Sequence, residues 1–184
     1  NPFGADHHSR DHDWMYEEGT AQLYLDRLAL MGLNNAPPPL SFGPEKVRFA
    51  YLGQFFYSAL DTLELCQFVW GPAWTLFGPQ ETVDMLNAVT GWDVTLEELL
   101  KLGERRLNML RAFNAREGFT DAQDVLPEKF FVPLQGKGTA AGASVNRENL
   151  AAAQKQYYEA LKWTNHGNPT PEKLQELGLD WVKI

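Results

Sequence analysis

The stretch EKVRFAYLGQFFYSALDTLELCQFV, residues 45–69, decides the fold class of this protein. Its apolar side chains recur at helical spacing on one side, and further aromatic residues, such as Tyr51 and Phe55, lie on the opposite side. A helix that is apolar all round is buried at the centre of a domain. The run is interrupted by the polar or charged residues Arg48, Gln54, Asp61 and Glu64, which argues against a membrane span. We therefore expect one long central helix over residues 45–69.

Apolar periodicity and capping signals predict further helices on both sides of this stretch. Thr95 and Glu98 have the spacing of a capping box, and Gly118 is placed to end the helix that they begin. Thr170 followed by Pro171 has the pattern of a helix start. The expected helices lie at residues 14–32, 80–90, 95–118, 146–164 and 170–178.

The intervening segments carry proline, glycine and small residues, and we expect them to be connections. They are the proline-rich 33–44, the aromatic loop 70–79 and the irregular 119–145. The tail 179–184 has the pattern of one short strand. The fold class expected is all-α, an irregular multi-helical domain of five to seven helices with little or no sheet. Residues 1–44 would form an N-terminal segment with a proline-rich connector, and residues 45–184 the helical core.

Composition limits the possible partners. The formal net charge is −8, which argues against nucleic acid because phosphate binding needs a positive surface. No apolar run reaches the length of a membrane span, and no leader peptide is visible, so we expect a cytoplasmic protein. The single cysteine excludes an internal disulfide. The chain does not begin with Met, which suggests a fragment of a longer protein.

Three of the four histidines lie in DHHSRDHD, residues 6–13. His8 and His12 are four residues apart, and on a helix they would share one face at a spacing suited to a metal ion. The alternative is a solvated, polar segment. A single histidine here could instead give or take a proton, because imidazole does so near neutral pH.

The single cysteine, Cys66, allows two interpretations. A free cysteine is usually an inert, packed residue. Asp61 lies five residues earlier, so the two side chains would not stack on one helix face, yet both could contact one large ligand across the helix end. Placed late in a long helix, Cys66 would lack the N-terminal dipole that favours a thiolate. A cysteine-protease arrangement is not favoured, because His166 lies in a solvated turn.

Charged residues of the helix over 95–118 are expected on solvated faces or in caps rather than in acid–base chemistry. The arginines and glutamates concerned are Glu97, Glu98, Glu104, Arg105, Arg106, Arg111 and Glu117. The later QGKGTAAGAS stretch lacks the spacing of a phosphate-binding loop, so nucleotide binding receives little weight. The aromatic loop over 70–79 could line a substrate channel or belong to the core.

A set of motifs over residues 88–131 resembles the C-terminal region of the tungsten-containing aldehyde ferredoxin oxidoreductase family. They are TGWD at 90–93, GER at 103–105, RAFN at 111–114, REG at 116–118 and LPEKF at 126–130. The closing run, with Tyr157-Tyr158, Trp163, Pro169-Thr170 and LQELGL, is also similar to the end of that family. The combination covers most of residues 45–184.

The resemblance implies roles for particular residues. Residues 61–66, DTLELC, match the family motif D-x-x-G-L-C, in which the cysteine is the fourth ligand of a [4Fe–4S] cluster and the aspartate contacts a bis-pterin that holds tungsten or molybdenum. It implies that Cys66 binds iron and that Asp61 and Leu65 bind the pterin cofactor. Glu64 stands where the family has glycine, which allows close backbone approach. The motif G-x-x-H, here residues 4–7, implies that His7 transfers protons.

The resemblance also implies the whole activity. The full enzyme would oxidise an aldehyde to a carboxylic acid and pass electrons through the cluster to a ferredoxin-type acceptor. A cluster normally needs four thiolates. The other three, and the main pterin-binding β domain, would come from upstream in the same enzyme or from a partner chain. This chain would then be inactive alone and bind neither cofactor by itself. The alternative is a non-catalytic helical interaction domain, or an inactive fragment, that docks to a partner chain.

Overall fold

A computed structural model describes residues 2–4, 6–16, 19–34, 37–70 and 74–184, and for Trp14 the backbone alone. These residues form seven α-helices and no sheet, and an antiparallel bridge between Trp163 and Pro169 stands alone. The all-α prediction is therefore confirmed. The helices are α1 (Gln22–Leu30), α2 (Pro44–Thr62), α3 (Gln67–Trp70), α4 (Pro79–Thr90), α5 (Leu96–Arg116), α6 (Arg147–Ala160) and α7 (Pro171–Glu176).

Helix α2 is the central element, as its sequence predicts. Phe56 and Leu60 are fully buried in one hydrophobic cluster, together with Leu28 of α1 and Leu99 of α5. Phe55, on another side of α2, packs in a second cluster with aromatic and aliphatic residues of the C-terminal half. Apolar residues on several sides of one helix thus become the shared wall of two clusters, which explains why this helix is buried all round.

Helices α2 and α5 pack closely because Gly103 stands where they cross. A Cβ atom built on Gly103 would lie 1.7 Å from the carbonyl oxygen of Phe55 and 2.9 Å from the backbone nitrogen of Ala59. Only glycine leaves room for this backbone contact. The glycine of the GER motif therefore serves helix packing.

The capping signals predicted for α5 are present. The Thr95 side chain accepts a hydrogen bond from the Glu98 backbone N–H, and the Glu98 carboxylate accepts one from the Thr95 backbone N–H. At the other end, Gly118 has a φ of +88°, and the N–H of Phe119 bonds the carbonyl of Asn114. This is the glycine-ended helix terminus that the sequence predicts.

Arg111 of α5 is buried, so its expected place on a solvated face is wrong. Its guanidinium donates to both carboxylate oxygens of Asp124, at 2.9 and 2.6 Å, and to the carbonyl oxygen of Gly167 at 2.6 Å. The Tyr158 hydroxyl also donates to Asp124. Buried charge needs such a complete set of partners. The network joins α5 to the 121–124 turn and to the C-terminal segments.

Several predicted boundaries differ from the structure. Residues 13–16 form a 3-10 turn, and α1 begins only at Gln22; residues 17 and 18 lie outside the described residues. The expected strand in the tail 179–184 is wrong: Leu179 is buried against Leu174 of α7, and no described strand lies beside this segment to pair with it. None of the described helices is long and apolar enough to cross a membrane.

The aromatic loop after α3 belongs largely to the core. Trp74 is 1% exposed, and its ring packs edge-on to Phe56 of α2 at 5.3 Å. Trp70, at the end of α3, is also buried and donates a hydrogen bond to the Thr82 hydroxyl at 2.8 Å. The sequence left open whether this loop lines a substrate channel or belongs to the core, and these two tryptophans belong to the core. Residues 71–73 lie outside the described residues.

Candidate functional site

The long helix predicted over residues 45–69 ends early, and Glu64 is the residue at which it turns away. Helix α2 stops at Thr62, and Glu64 adopts a φ of +57°. The N–H of Leu65 then bonds the carbonyl of Leu60 at 2.9 Å. This bond across a left-handed residue is the Schellman helix ending, in which glycine is the usual residue. The glycine of the family motif therefore has a conformational reason as well as a steric one.

Cys66 lies after this turn and not late in a long helix, so that expectation is wrong. Its carbonyl accepts a hydrogen bond from the N–H of Val69, which opens the four-residue helix α3. The residue is exposed. The interpretation as an inert, packed cysteine therefore does not hold.

Asp61, in the last turn of α2, has a protein partner on each carboxylate oxygen, a hydrogen bond on one and an ion pair on the other. Gln67 Nε2 lies 2.9 Å from Oδ1, and Arg106 Nη1 of α5 lies 3.1 Å from Oδ2. The aspartate side chain remains 34% exposed. Asp61 and Cys66 thus lie at the two ends of one tight turn. Gln67, the next residue after Cys66, hydrogen-bonds back to Asp61 across this turn.

The histidine segment is not helical in the way that a paired metal site would need. Only His7–Ser9 form a single 3-10 turn, and the backbone at Arg10 is extended. His8 and His12 consequently do not share a helix face, and the described residues contain no group of three or more His, Cys, Asp or Glu side chains able to hold a metal ion. The shared helix face on which a His8/His12 metal site would depend is therefore absent from this described segment.

His7 has an exposed side chain, and its turn is held by local hydrogen bonds. Asp6 accepts from the N–H of His8 at 2.9 Å and from the Ser9 hydroxyl at 2.6 Å. Burial alone would raise the pKa of Asp6, but these hydrogen bonds lower it below its ordinary value. His12 Nε2 lies 3.0 Å from the carbonyl oxygen of His7. Ala5 of the G-x-x-H motif lies outside the described residues.

The histidine segment lies beside the Cys66 turn. The rings of His7 and His8 are 3.8 Å apart, and the ring of His8 is 5.5 Å from that of Phe68, two residues after Cys66. The structure therefore brings the segment of His7 and the turn of Asp61 and Cys66 to one region of the surface, although more than 50 residues separate them in the sequence.

A small cleft lies next to Asp61 and is formed by three elements: the N-terminal segment, α2 and α5. Its lining residues are Pro2, Phe3, Ser9, Gln54, Ser58, Asp61, Arg106 and Leu107. Arg106 was expected on a solvated face, but its side chain is only 25% exposed. Sequence reasoning therefore missed Arg106 and Gln67 as partners of Asp61. No local signal marks either residue, because one partner lies on another helix and the other follows a turn.

Asp11 is a buried acid that the sequence does not distinguish from its solvated neighbours. It is 3% exposed and accepts hydrogen bonds from the Tyr16 hydroxyl and from the backbone N–H of His12. Burial, together with the Asp11 carboxylate, raises the pKa of Tyr16 and of Tyr57 above the ordinary value for tyrosine. This cluster fixes the segment that carries the histidines onto α2.

Exposed apolar side chains follow Cys66 in the chain. Phe68 is 83% exposed and Val69 is 41% exposed, and Leu76, whose N–H bonds the carbonyl of Trp70, is 59% exposed. Together they place apolar area on the surface on the C-terminal side of Cys66. An accessible thiol can act as a metal ligand, and a single sulfur supplies one of the four that an iron–sulfur cluster needs.

Known proteins resemble this chain over most of its length. The family model described as "Aldehyde ferredoxin oxidoreductase, domains 2 & 3" matches residues 1–179. The tungsten-containing aldehyde ferredoxin oxidoreductase of Pyrococcus furiosus is 32% identical over 159 residues, which is 85% of this chain and 25% of that protein. The corresponding protein of Thermococcus kodakarensis is 33% identical, with the same coverage. The chain thus spans about a quarter of the length of these curated relatives.

Two further proteins share the fold or part of the sequence. The aliphatic sulfonate oxidoreductase, WOR-like subunit, of Pyrococcus furiosus is 32% identical over 72% of this chain and 21% of that protein. A solved structure, the active site complex BamBC of benzoyl coenzyme A reductase in complex with 1,5-dienoyl-CoA, superposes with a TM-score of 0.56. It is 22% identical and covers 70% of this chain and 18% of that chain, so the likeness concerns the fold.

Proposed function

The chain belongs to the aldehyde ferredoxin oxidoreductase family, and from this premise we propose that it is the helical C-terminal part of a tungsten- or molybdenum-pterin, iron–sulfur oxidoreductase. Its relatives are about four times as long, so the chain supplies part of an active site and is inactive alone. Within it, residues 1–44 are an N-terminal segment and residues 45–184 the helical core. The observation that carries the proposal is the exposed thiol of Cys66, one tight turn away from Asp61.

Cys66 contributes one thiolate to a [4Fe–4S] cluster. Its exposure supports this role, because cluster irons are held by cysteine thiolates and an exposed thiol is accessible to iron. The other three thiolates come from an upstream domain of the same enzyme or from a partner chain. A cluster held there would supply one-electron transfer.

Asp61 and Leu65, in the same turn as Cys66, would hold the pterin cofactor. The Asp61 carboxylate remains one-third exposed although one oxygen accepts a hydrogen bond from Gln67 and the other pairs with Arg106, so it can accept further hydrogen bonds from a ring N–H. Leu65 packs against the core through the helix ending, which holds the turn in place. A metal–pterin cofactor held there would supply two-electron redox chemistry.

His7 transfers a proton. Oxidation of an aldehyde with water to a carboxylic acid releases two electrons and two protons, so the site needs a group that accepts a proton. The His7 imidazole is exposed, and His12 holds its backbone carbonyl, which keeps the segment in place. The electrons leave for a ferredoxin-type acceptor, in the cytoplasm.

Substitution of Cys66 in the complete native protein tests this function. We expect Cys66→Ser to abolish or strongly reduce the electron paramagnetic resonance signal of the reduced cluster and the iron content per polypeptide, because a serine oxygen is a poor cluster ligand. Ser144→Ala, at an exposed position in the 132–146 loop, serves as the control and should leave both unchanged.

A Cys66→Ser protein with undiminished iron would contradict the ligand assignment. The exposed apolar surface would then support the second candidate, a non-catalytic helical domain that docks to a partner chain.

A further inference from the structure

The Asp61 carboxylate is oriented by side chains from two directions before any ligand reaches it. Arg106 Nη1 lies 3.1 Å from one oxygen, and Gln67 Nε2 lies 2.9 Å from the other. A carboxylate held at one oxygen can rotate, whereas one held at both is fixed in its plane. Each oxygen retains a free lone pair, so the group can accept a ligand donor in a set direction.

Arg106 connects all three elements that form the cleft. It belongs to α5, its Nη1 also lies 3.4 Å from the hydroxyl of Ser58 on α2, and its guanidinium carbon lies 5.9 Å from the centre of the Phe3 ring. Phe3 is part of the N-terminal segment that carries His7. One guanidinium therefore contacts both the aspartate proposed to bind pterin and the segment that carries the proposed proton-transfer residue.

Stability alone does not account for this arrangement. The Arg106 and Asp61 side chains are 25% and 34% exposed, and partly exposed ion pairs of this kind contribute little to folding. A hydrogen bond and an ion pair on one accessible carboxylate are instead the pattern by which outer residues orient a ligand-binding group.

We propose that Arg106, with Gln67, is a positioning residue for Asp61: it aims the carboxylate at the pterin cofactor and keeps the His7 segment against the same cleft. This inference rests on the proposed pterin-binding role of Asp61. Without Arg106, Asp61 keeps only the Gln67 contact and turns towards solvent, and Phe3 loses its cation.

The test uses the complete native protein and measures pterin and tungsten or molybdenum per polypeptide, with the paramagnetic signal of the metal centre as a second readout. We expect Arg106→Met to lower pterin content about tenfold, the loss typical when an outer partner of a ligand is removed. Arg106→Lys, which keeps the charge, should restore most of it. The double variant Arg106→Met/Asp61→Asn should lose little more pterin than Asp61→Asn alone, because the two substitutions remove the same interaction.

Arg116→Met provides the matched control on the same helix. Arg116 is exposed and pairs with Glu117 at 3.5 Å, so its loss should leave pterin content and the metal signal unchanged. Iron content monitors folding, because Cys66 is untouched in every variant and a folded protein keeps its cluster.

The outcomes separate this inference from the proposed function. Full pterin content in Arg106→Met, or losses that multiply in the double variant, would overturn the role of Arg106 while Asp61→Asn still shows that Asp61 binds pterin. Full pterin content in Asp61→Asn would overturn both. Failure of Arg106→Lys to restore pterin, with iron retained, would show that charge at this position does not orient the carboxylate.

Discussion

Glu64 is a non-glycine residue in a backbone conformation that favours glycine. A φ of +57° brings the Cβ of an L-residue close to its own carbonyl, and only glycine adopts this region freely. The strain is tolerated because the helix ending around it is complete: the N–H of Leu65 reaches the carbonyl of Leu60, and Leu65 packs against the core. The turn between Asp61 and Cys66 therefore keeps its shape without the glycine.

Replacing Glu64 with glycine should stabilise the protein. We expect Glu64→Gly to raise the free energy of unfolding by about 1 kcal/mol, because the left-handed conformation no longer strains a Cβ. Urea unfolding followed by tryptophan fluorescence measures the change. Glu64→Ala is the matched control, since it removes the charge and keeps the Cβ. An equal gain in both variants would attribute the effect to charge and refute the backbone explanation.

At the scale of elements, the close crossing of α2 and α5 is the central packing contact of the fold. Gly103 allows the two backbones to touch, and further along α5 Arg106 reaches Asp61 and Arg111 reaches Asp124. Helix α5 therefore packs against α2 at Gly103 and, one turn later, supplies Arg106 to the cleft. A change in the spacing of these helices would alter the cleft as well as the core.

Substitution of Gly103 should separate the two helices. We expect Gly103→Ala to lower the free energy of unfolding by about 3 kcal/mol, because its methyl group would meet backbone atoms of α2 that cannot move independently. Urea midpoints measure the loss. Gly138→Ala is the control, because a Cβ there meets nothing within 4 Å. A Gly103→Ala protein as stable as the control would show that the helices do not cross as closely as described.

At the scale of the whole molecule, tyrosines in the polar clusters make the fold sensitive to alkaline pH. Burial raises the pKa of Tyr16 and Tyr57, with Asp11 adding to the effect, and burial with the Asp124 hydrogen bond raises the pKa of Tyr158. Their stabilisation is complete below the unfolded-state value of about 10. Above it, the unfolded chain releases protons that the folded chain retains, so stability falls as pH rises.

The free energy of unfolding should therefore decrease steeply above pH 10. Each such tyrosine contributes a slope of about 1.4 kcal/mol per pH unit once its unfolded-state form is ionised. Urea midpoints measured from pH 8 to pH 11 give the slope, and Tyr158→Phe should reduce it while leaving the trend between pH 6 and pH 8 unchanged. An identical slope above pH 10 in the variant would show that Tyr158 ionises as easily in the folded state as in the unfolded one.

Much of the fold could be predicted from the sequence because its signals are local. Apolar periodicity found the central helix, and the Thr95–Glu98 box marked where α5 begins. Predicted helix boundaries were wrong where a tertiary contact sets the end of the helix. Helix α2 ends at Thr62 because Leu65 turns back and packs against the core, and no sequence signal near Leu65 indicates this packing. For the candidate site, the resemblance of residues 61–66 to the family motif indicated Asp61 and Cys66. Apolar periodicity, however, predicted a helix that continues past both residues.

By itself, then, the sequence determined the helices, their caps and the family, since periodicity, capping and motifs act over a few residues. Only the tertiary structure decided that Arg111 is buried, that Cys66 is exposed, and that Arg106 and the His7 segment meet at the Asp61 turn. The reason is physical. Burial and ion pairing depend on which surfaces distant segments cover, and the free energy of a charge changes with its surroundings far more than with its neighbours in the chain.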